Sequence, residues 1–427
     1  MKNLERLFQF IEQSTSQFHT IKATKEQLLD KGFQELSLKT IWNLERGGRY
    51  FLIHHGSTIF AFTIGKDFRA KDGFRLAASH GDFPGFRLKY NAEMENGGYL
   101  QLNTEGYGGA ILSSWLDRPL SVAGRVVLKS DEVFKPEVRL VDLKKPVLII
   151  PNLAIHFNRE MNKGVELRKQ VEMIPFYGMA SEKMTQGAFL SYLAEELGVE
   201  KDDILDYELM IYNTDKPSIV GLRDEFISSP RLDNLCSTQA LIEGITEENR
   251  TSGLNMMIVF DHEEVGSRSK QGAASTLMAT IVEKIYLSLG LTSMDFASAI
   301  EDSLLISVDV SHAYNPNYAA KYDSTHRNII NHGFSIKEAA SQSYATDSEA
   351  IGIVQQICKK EGISYQKFAN HSDMAGGGTV GAISSAMLPI RTVDIGAPIW
   401  AMHSSRETMG VEDYKGLVAF MKAYFTL

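Results

Sequence analysis

Cysteine is nearly absent from this chain: Cys236 and Cys358 are the only two in 427 residues. Neither sits in a C-x-x-C or zinc-knuckle spacing, so a disulfide framework and a sulfur-ligated metal are both excluded, and a reducing compartment fits. A basic surplus is missing too. With Lys+Arg at 44 against Asp+Glu at 53, the net charge is −9, and the densest basic stretch, Lys144 and Lys145, is too short to matter. A phosphate backbone or anionic membrane needs clustered cations, so no nucleic acid and no membrane is expected as a partner. Long apolar runs are lacking as well. The opening MKNLERLFQFIEQSTSQFHT interrupts its apolar residues with charge, unlike a signal peptide, and no later window approaches the ~18 uncharged apolar residues of a membrane span. Together these absences predict a soluble, cytoplasmic protein.

Several catalytic signatures are missing. There is no G-x-S-x-G nucleophile elbow, no G-x-x-x-x-G-K-[ST] phosphate loop and no H-E-x-x-H helix. The run Gly376-Gly377-Gly378-Thr379-Val380-Gly381 formally satisfies G-x-G-x-x-G. Its next acidic candidate, Asp394, follows Gly381 by only 13 residues, where ~20 is usual for a dinucleotide fold. The run is better read as a loop that lets backbone approach a substrate.

What is present is enough apolar residue, 44%, for a full core, and enough length for one large domain plus another. Apolar periodicity predicts helices near 3–14 and 23–32, then strands at 50–55, 58–63 and 74–79, the last running into His80. From about 91 the texture turns to short β-rich runs broken by Gly and Pro, closing with a helix near 185–198 and a strand near 205–213. From about 219, strands (254–260, 303–309, 365–369, 391–395) alternate with helices (234–245, 272–289, 347–361, 380–387). That alternation predicts an α/β fold with a mostly parallel central sheet covered by helices on both faces. The division expected is a discontinuous catalytic domain, 1–90 plus 221–427, with a β-rich domain inserted over 91–220.

Open α/β sheets bind ligands beyond the carboxyl ends of their strands, and polar residues crowd those places here. Asp261-His262-Glu263-Glu264 follows the strand LNMMIVF. Adjacent side chains of an extended chain point apart, so Glu263 and Glu264 can serve one site only if the chain turns, which Gly266 permits. Asp309 ends the apolar run LLISVDV, where a buried carboxylate is costly unless paired or metal-bound. Asp233 precedes an amphipathic helix and has the ordinary explanation of an N-cap. His80 stands two residues before Asp82, a carboxylate able to take its second ring N–H. His403 alone says little. Together, two imidazoles and three carboxylates form a nitrogen/oxygen donor set that suits Zn²⁺, Mn²⁺ or Co²⁺, in the number that two ions sharing a bridging carboxylate require.

These residues lie in segments that resemble the aspartyl aminopeptidase family of dinuclear metallopeptidases: SHGDFPGFRLK, GYGGAILSSWLDRPLSVAGRV, IPNLAIHFNR, DEFISSPRLDN, FDHEEVGSRSKQGA, SVDVSHAYNPNY, the run to Ile336-Lys337, TVGAISS and TVDIGAPIWAMHSSRE. The likeness runs through nearly the whole chain. It implies that His80 and Asp309 hold one metal, that Glu264 and His403 hold the other, and that Asp233 bridges them, with zinc the first candidate. Glu263 would then be the general base, supported by Asp82. The insertion would serve dimerisation and act as a lid, and His156 would reach a neighbouring subunit's site to stabilise the tetrahedral oxyanion. The implied assembly is a dodecamer built from dimers, the substrates short peptides with a free N-terminus. Lys337 would pair with an acidic first residue, with His312, Gly377, Gly378 and Thr379 as further substrate contacts.

The chain departs from the family pattern at Gly81-Asp82-Phe83-Pro84, at Asp373-Met374-Ala375-Gly376-Gly377-Gly378-Thr379 and at Asn315. None of these is a metal ligand; all bear on the substrate pocket. Two rivals to the aminopeptidase reading are a related dinuclear deacylase or carboxypeptidase, which would not require a free amine, and a non-catalytic shell protein of the same fold, which would have no use for Glu263.

Overall fold

The computed structural model describes residues 2–182, 184–247 and 250–427. Its strands fall into three sheets. The largest runs in the spatial order Gln34–Glu35, Arg49–His54, Thr58–Ile64, Leu254–Phe260, Phe74–His80, Leu304–Val308, Arg391–Gly396, Phe334–Lys337, Tyr365–Phe368. Leu254–Phe260 and Leu304–Val308 are buried at every position, as expected of strands covered on both faces.

Alternation along those strands feeds two separate cores. Met257 and Val259 pack with helices Leu232–Ile245, Ser348–Glu361 and Val411–Thr426 on one face. Met256 and Ile258 pack on the other face with helices Leu277–Ser288 and Ser293–Glu301. The four strands Leu254–Phe260, Phe74–His80, Leu304–Val308 and Arg391–Gly396 are parallel, neighbour to neighbour. Pairing turns antiparallel on either side, between Thr58–Ile64 and Leu254–Phe260 and between Phe334–Lys337 and Arg391–Gly396, so the sheet is mixed. The connection from Arg49–His54 to Thr58–Ile64 is too short for a crossover and can only make a hairpin.

The second sheet is antiparallel throughout, in the order Glu137–Asp142, Leu120–Leu128, Ile204–Asn213, Gly85–Asn96, Tyr99–Tyr107, Phe176–Met179. It has its own apolar cluster, which includes Phe86, Trp115, Leu209 and Ile211. A third sheet joins distant parts of the chain, in the order Ser218–Val220, Phe226–Ser229, Glu407–Gly410, Pro398–Trp400, Ser311–His312.

Several elements differ from the sequence expectation. The helix expected near 23–32 is Gln17–Asp30, because Ser16 accepts the His19 N–H and starts it a turn and a half earlier. The helix expected over 272–289 is Leu277–Ser288, preceded by turns. Helices Ser293–Glu301 and Val411–Thr426 have no counterpart in the expectation. Val411–Thr426 buries Tyr414, Leu417, Val418, Phe420, Met421, Tyr424 and Phe425 around most of its circumference, so it carries no clean polar stripe for periodicity to detect. Among the described residues, no helix is long and apolar enough to cross a membrane.

Candidate metal centre

Three adjacent parallel strands deliver polar residues to one edge of the large sheet. Phe74–His80 ends on His80, Leu254–Phe260 leads into Glu263 and Glu264, and Leu304–Val308 is followed directly by Asp309. The third sheet brings the remainder. Asp233 lies just past Phe226–Ser229, and His403 lies in the turn between Pro398–Trp400 and Glu407–Gly410.

The five expected ligands converge. His80 Nε2 is 3.5 Å from Asp233 Oδ1 and 3.6 Å from Asp309 Oδ1. His403 Nε2 is 3.4 Å from Asp233 Oδ2 and 3.4 Å from Glu264 Oε2. Asp233 thus presents one oxygen to each histidine. Its carboxylate is turned to the histidines and not to the helix start, and Oδ1 accepts no hydrogen bond from a helix N–H. Donor atoms of His80, Asp233 and Glu264 lie within 4.8 Å of one another, close enough to share an ion.

The turn that two adjacent glutamates require is present. A single helical turn, Glu263–Val265, is entered through His262 at φ 62° and left through Gly266 at φ 97°, both left-handed. Glu263 Oε2 is directed at His80 Nε2, 4.0 Å away, while Glu264 faces His403. Asp82 pins this turn by accepting the Glu263 and Glu264 backbone N–H groups, both at 3.2 Å. Its backbone carbonyl is 3.0 Å from His80 Nδ1, and its carboxylate is 3.5 Å from the same nitrogen. The second nitrogen of His403 is held likewise, Nδ1 lying 3.1 Å from the Gly109 carbonyl oxygen. In both rings Nδ1–H is donated to oxygen and Nε2 is left to coordinate.

Crowded carboxylates make this site hungry for positive charge. Burial, then the negative charge of Asp309 and its neighbours against the opposing pull of His80, pushes Glu263 up to about 8. Burial and Asp233 drive Glu264 well above the usual carboxylate range. Burial opposes charge on His403, but Asp233 outweighs it and lifts the imidazole to about 9. Asp233 Oδ1 and Glu264 Oε1 are buried and accept no hydrogen bond. Buried oxygens of this kind, beside imidazole nitrogens, fit divalent metal ions of the zinc type.

A cleft of about 440 Å³ opens over the cluster, lined by His312, Lys337, Tyr344, Gly377, Gly378 and Thr379 as well as the expected ligands and Glu263. Lys337 is almost fully buried, donates to the Val310 carbonyl at 3.1 Å and lies over the Tyr344 ring. Burial works against its charge, but Asp309 and other carboxylates hold its pKa above the ordinary lysine value. Thr379 donates its hydroxyl to Asp394. His156 is not brought to this cleft: it is exposed, in a segment with Leu153, Ile155 and Phe157 also exposed.

The aminopeptidase I zinc metalloprotease (M18) family model matches residues 10–425 of the chain. The chain belongs to the M18 family. It is a metal-dependent aminopeptidase. A probable M18 family aminopeptidase 2 of Clostridium novyi is 44% identical to it, over 99% of each chain. Among solved structures, a chain of the Ape4 and Nbr1 complex is 33% identical with a TM-score of 0.92, covering 99% of this chain and 85% of that one. The mApe1 dodecamer of S. cerevisiae is 26% identical with a TM-score of 0.84, covering 99% of this chain and 95% of that one.

Three groups of this M18 chain that serve the site escaped the sequence reading. Tyr107, at the end of a strand of the second sheet, donates to Asp82 Oδ2 at 2.7 Å. The Gly109 carbonyl orients His403, and a backbone carbonyl carries no side-chain signature at all. Glu407 accepts backbone N–H groups from both Asp233 and His403. Burial and the charge of Asp233 push it up to about 8. Its place in the HSSRE run is the only sequence signal that could have marked it.

Proposed function

We propose that this M18 aminopeptidase works through two divalent ions, His80 and Asp309 holding one, Glu264 and His403 the other, with Asp233 between them. The observation that carries this reading is the division of Asp233, whose two oxygens face different histidines at 3.5 and 3.4 Å. Zn²⁺ is the first candidate, with Mn²⁺ or Co²⁺ also suited to the donors. Ions held there would polarise the scissile carbonyl and acidify a bound water. Glu263 takes the proton of the attacking water and hands it to the leaving amine, a role supported by its place in the cleft beside the proposed ligands without being one of them. Asp82 keeps His80 oriented and holds the Glu263–Glu264 turn in place.

The substrate is a short peptide with a free N-terminus, and Lys337 in the cleft supports a preference for acidic first residues, with His312, Gly377, Gly378 and Thr379 as neighbouring contacts. Residues 91–220 act as an inserted dimerisation and lid domain, a reading supported by a second sheet and apolar cluster drawn entirely from residues between 85 and 213. His156, exposed in one subunit, serves a neighbour's oxyanion in a dodecamer, supported by the likeness to the dodecameric mApe1. A reducing, cytoplasmic setting suits the two buried, unbridged cysteines.

The deciding experiment is hydrolysis of free-amine and N-acetylated dipeptides before and after chelation and metal add-back, with Glu263→Gln in parallel. Release of the first residue from free-amine substrates alone, lost on chelation and in the variant, is expected. Equal cleavage of acetylated substrates would instead favour a deacylase, and metal binding without any cleavage a non-catalytic shell.

A further inference from the structure

We propose that Glu407 is a positioning residue for the metal centre, its carboxylate fixing the separation of Asp233 and His403 by taking one backbone N–H from each. The inference rests on the reading above, in which those two residues contribute to the site. Glu407 Oε2 accepts the Asp233 N–H at 3.0 Å and Oε1 accepts the His403 N–H at 2.8 Å. One carboxylate thus joins two segments that lie far apart in sequence.

Neither N–H makes another hydrogen bond among the described residues. Asp233 has non-helical φ/ψ at a helix start, and His403 is left-handed at φ 67°, so neither N–H falls in a helical or strand ladder. Both conformations need an external hold, and Glu407 supplies it with both oxygens. The hold is itself rigid. Glu407 is 2% exposed and heads the strand Glu407–Gly410, which pairs antiparallel with Phe226–Ser229 so that Glu407 lies opposite Ser229, shortly before Asp233 in the chain.

Its charge fits the same role. Among the described residues, no Lys, Arg or His side chain forms an ion pair with Glu407. The two N–H groups compensate a buried carboxylate of this kind, and cations held beyond Asp233 would offset its charge further. Outer groups that orient ligands commonly carry ten- to hundredfold effects on metal affinity.

The test uses full-length protein with Glu407→Gln, which keeps the shape and one good acceptor, and Glu407→Ala, which keeps neither. Zinc affinity is measured by competition with a chromogenic chelator, metal content by mass spectrometry, and kcat and KM at saturating zinc. Zinc affinity is expected to weaken about tenfold in Glu407→Gln and about a hundredfold in Glu407→Ala. Saturating zinc should refill the site yet leave kcat low with KM little changed, while the metal-free circular dichroism spectrum of Glu407→Gln stays that of the parent. Zinc affinity and kcat of Glu407→Gln both within twofold of the parent would overturn the proposal. Failure of the parent itself to bind zinc would overturn the metal-site reading instead.

Discussion

Tyr107 donates its hydroxyl to Asp82 at 2.7 Å, tying a strand of the second sheet to the carboxylate that orients His80 and pins the Glu263–Glu264 turn. The same segment of chain reaches His403, through the Gly109 carbonyl to its ring and through the Ile111 N–H to its carbonyl at 2.9 Å. The end of that strand and the residues just after it are therefore tied to both histidines.

Tyr107→Phe removes the phenolic donor and leaves the ring. A hydrogen bond to a charged acceptor is worth about 1.5–3 kcal/mol, so the metal-free protein should lose stability on that scale in urea titrations. Activity should fall about tenfold, chiefly in kcat, because His80 and the glutamate turn lose a common brace. Kinetics identical to the parent would show that Asp82 needs no help from the second sheet.

The metal-free protein should lose stability as pH rises. Glu263 and Glu407, raised from 4.5 to about 8, hold their protons in the folded state after the unfolded chain has released them, so stability falls between those values. His403, raised from 6.5 to about 9, stabilises fully below 6.5 and loses that contribution as pH passes through about 9. Zinc held by the site would take the place of the His403 Nε2 proton and favour the charged form of the nearby carboxylates, so it should bind more tightly as those protons leave. Thermal melts from pH 5 to 9 should therefore show a gap between zinc-loaded and chelated protein that widens with pH; a narrowing gap would contradict the charge balance described for the site.

Lys337→Met tests substrate preference. Removing one partner of a buried charge pair costs about 2–5 kcal/mol, so kcat/KM for peptides beginning with Asp or Glu should drop about a hundredfold relative to those beginning with Leu. The ratio cancels any general damage from losing the contacts to Val310 and Tyr344. If every substrate falls equally, Lys337 supports the fold rather than selecting the substrate.

Gly244→Ala probes the packing behind Asp233. A Cβ at this position would meet the Met421 backbone oxygen at 2.9 Å, where helix Val411–Thr426 crosses the helix that begins beside Asp233. Overpacking of this kind costs about 1–3 kcal/mol. Chemical denaturation should register that loss, with zinc affinity weakened in the same variant. By contrast, Gly352→Ala, inside helix Ser348–Glu361, places its Cβ where nothing lies within 4 Å and should raise stability by about 0.5–1 kcal/mol while leaving zinc affinity unchanged.

The sequence by itself determined the central parallel strands, because LNMMIVF and LLISV are apolar at all but one position each, Asn255 and Ser307, and are buried at every position. It also marked His80, Glu264 and Asp309, since a carboxylate or imidazole beyond the end of such a strand is costly unless it has a partner, whereas Asp233 and His403 joined them only as members of the set and through the family resemblance. It could not find helix Val411–Thr426, whose burial on most sides erases the period. Only the tertiary structure decided which oxygen of Asp233 faces which histidine, and that Tyr107, Gly109 and Glu407 brace them. Most of those contacts join residues far apart in the chain, and the braces from Gly109 and Glu407 act through backbone groups common to every residue, so no local pattern can encode them.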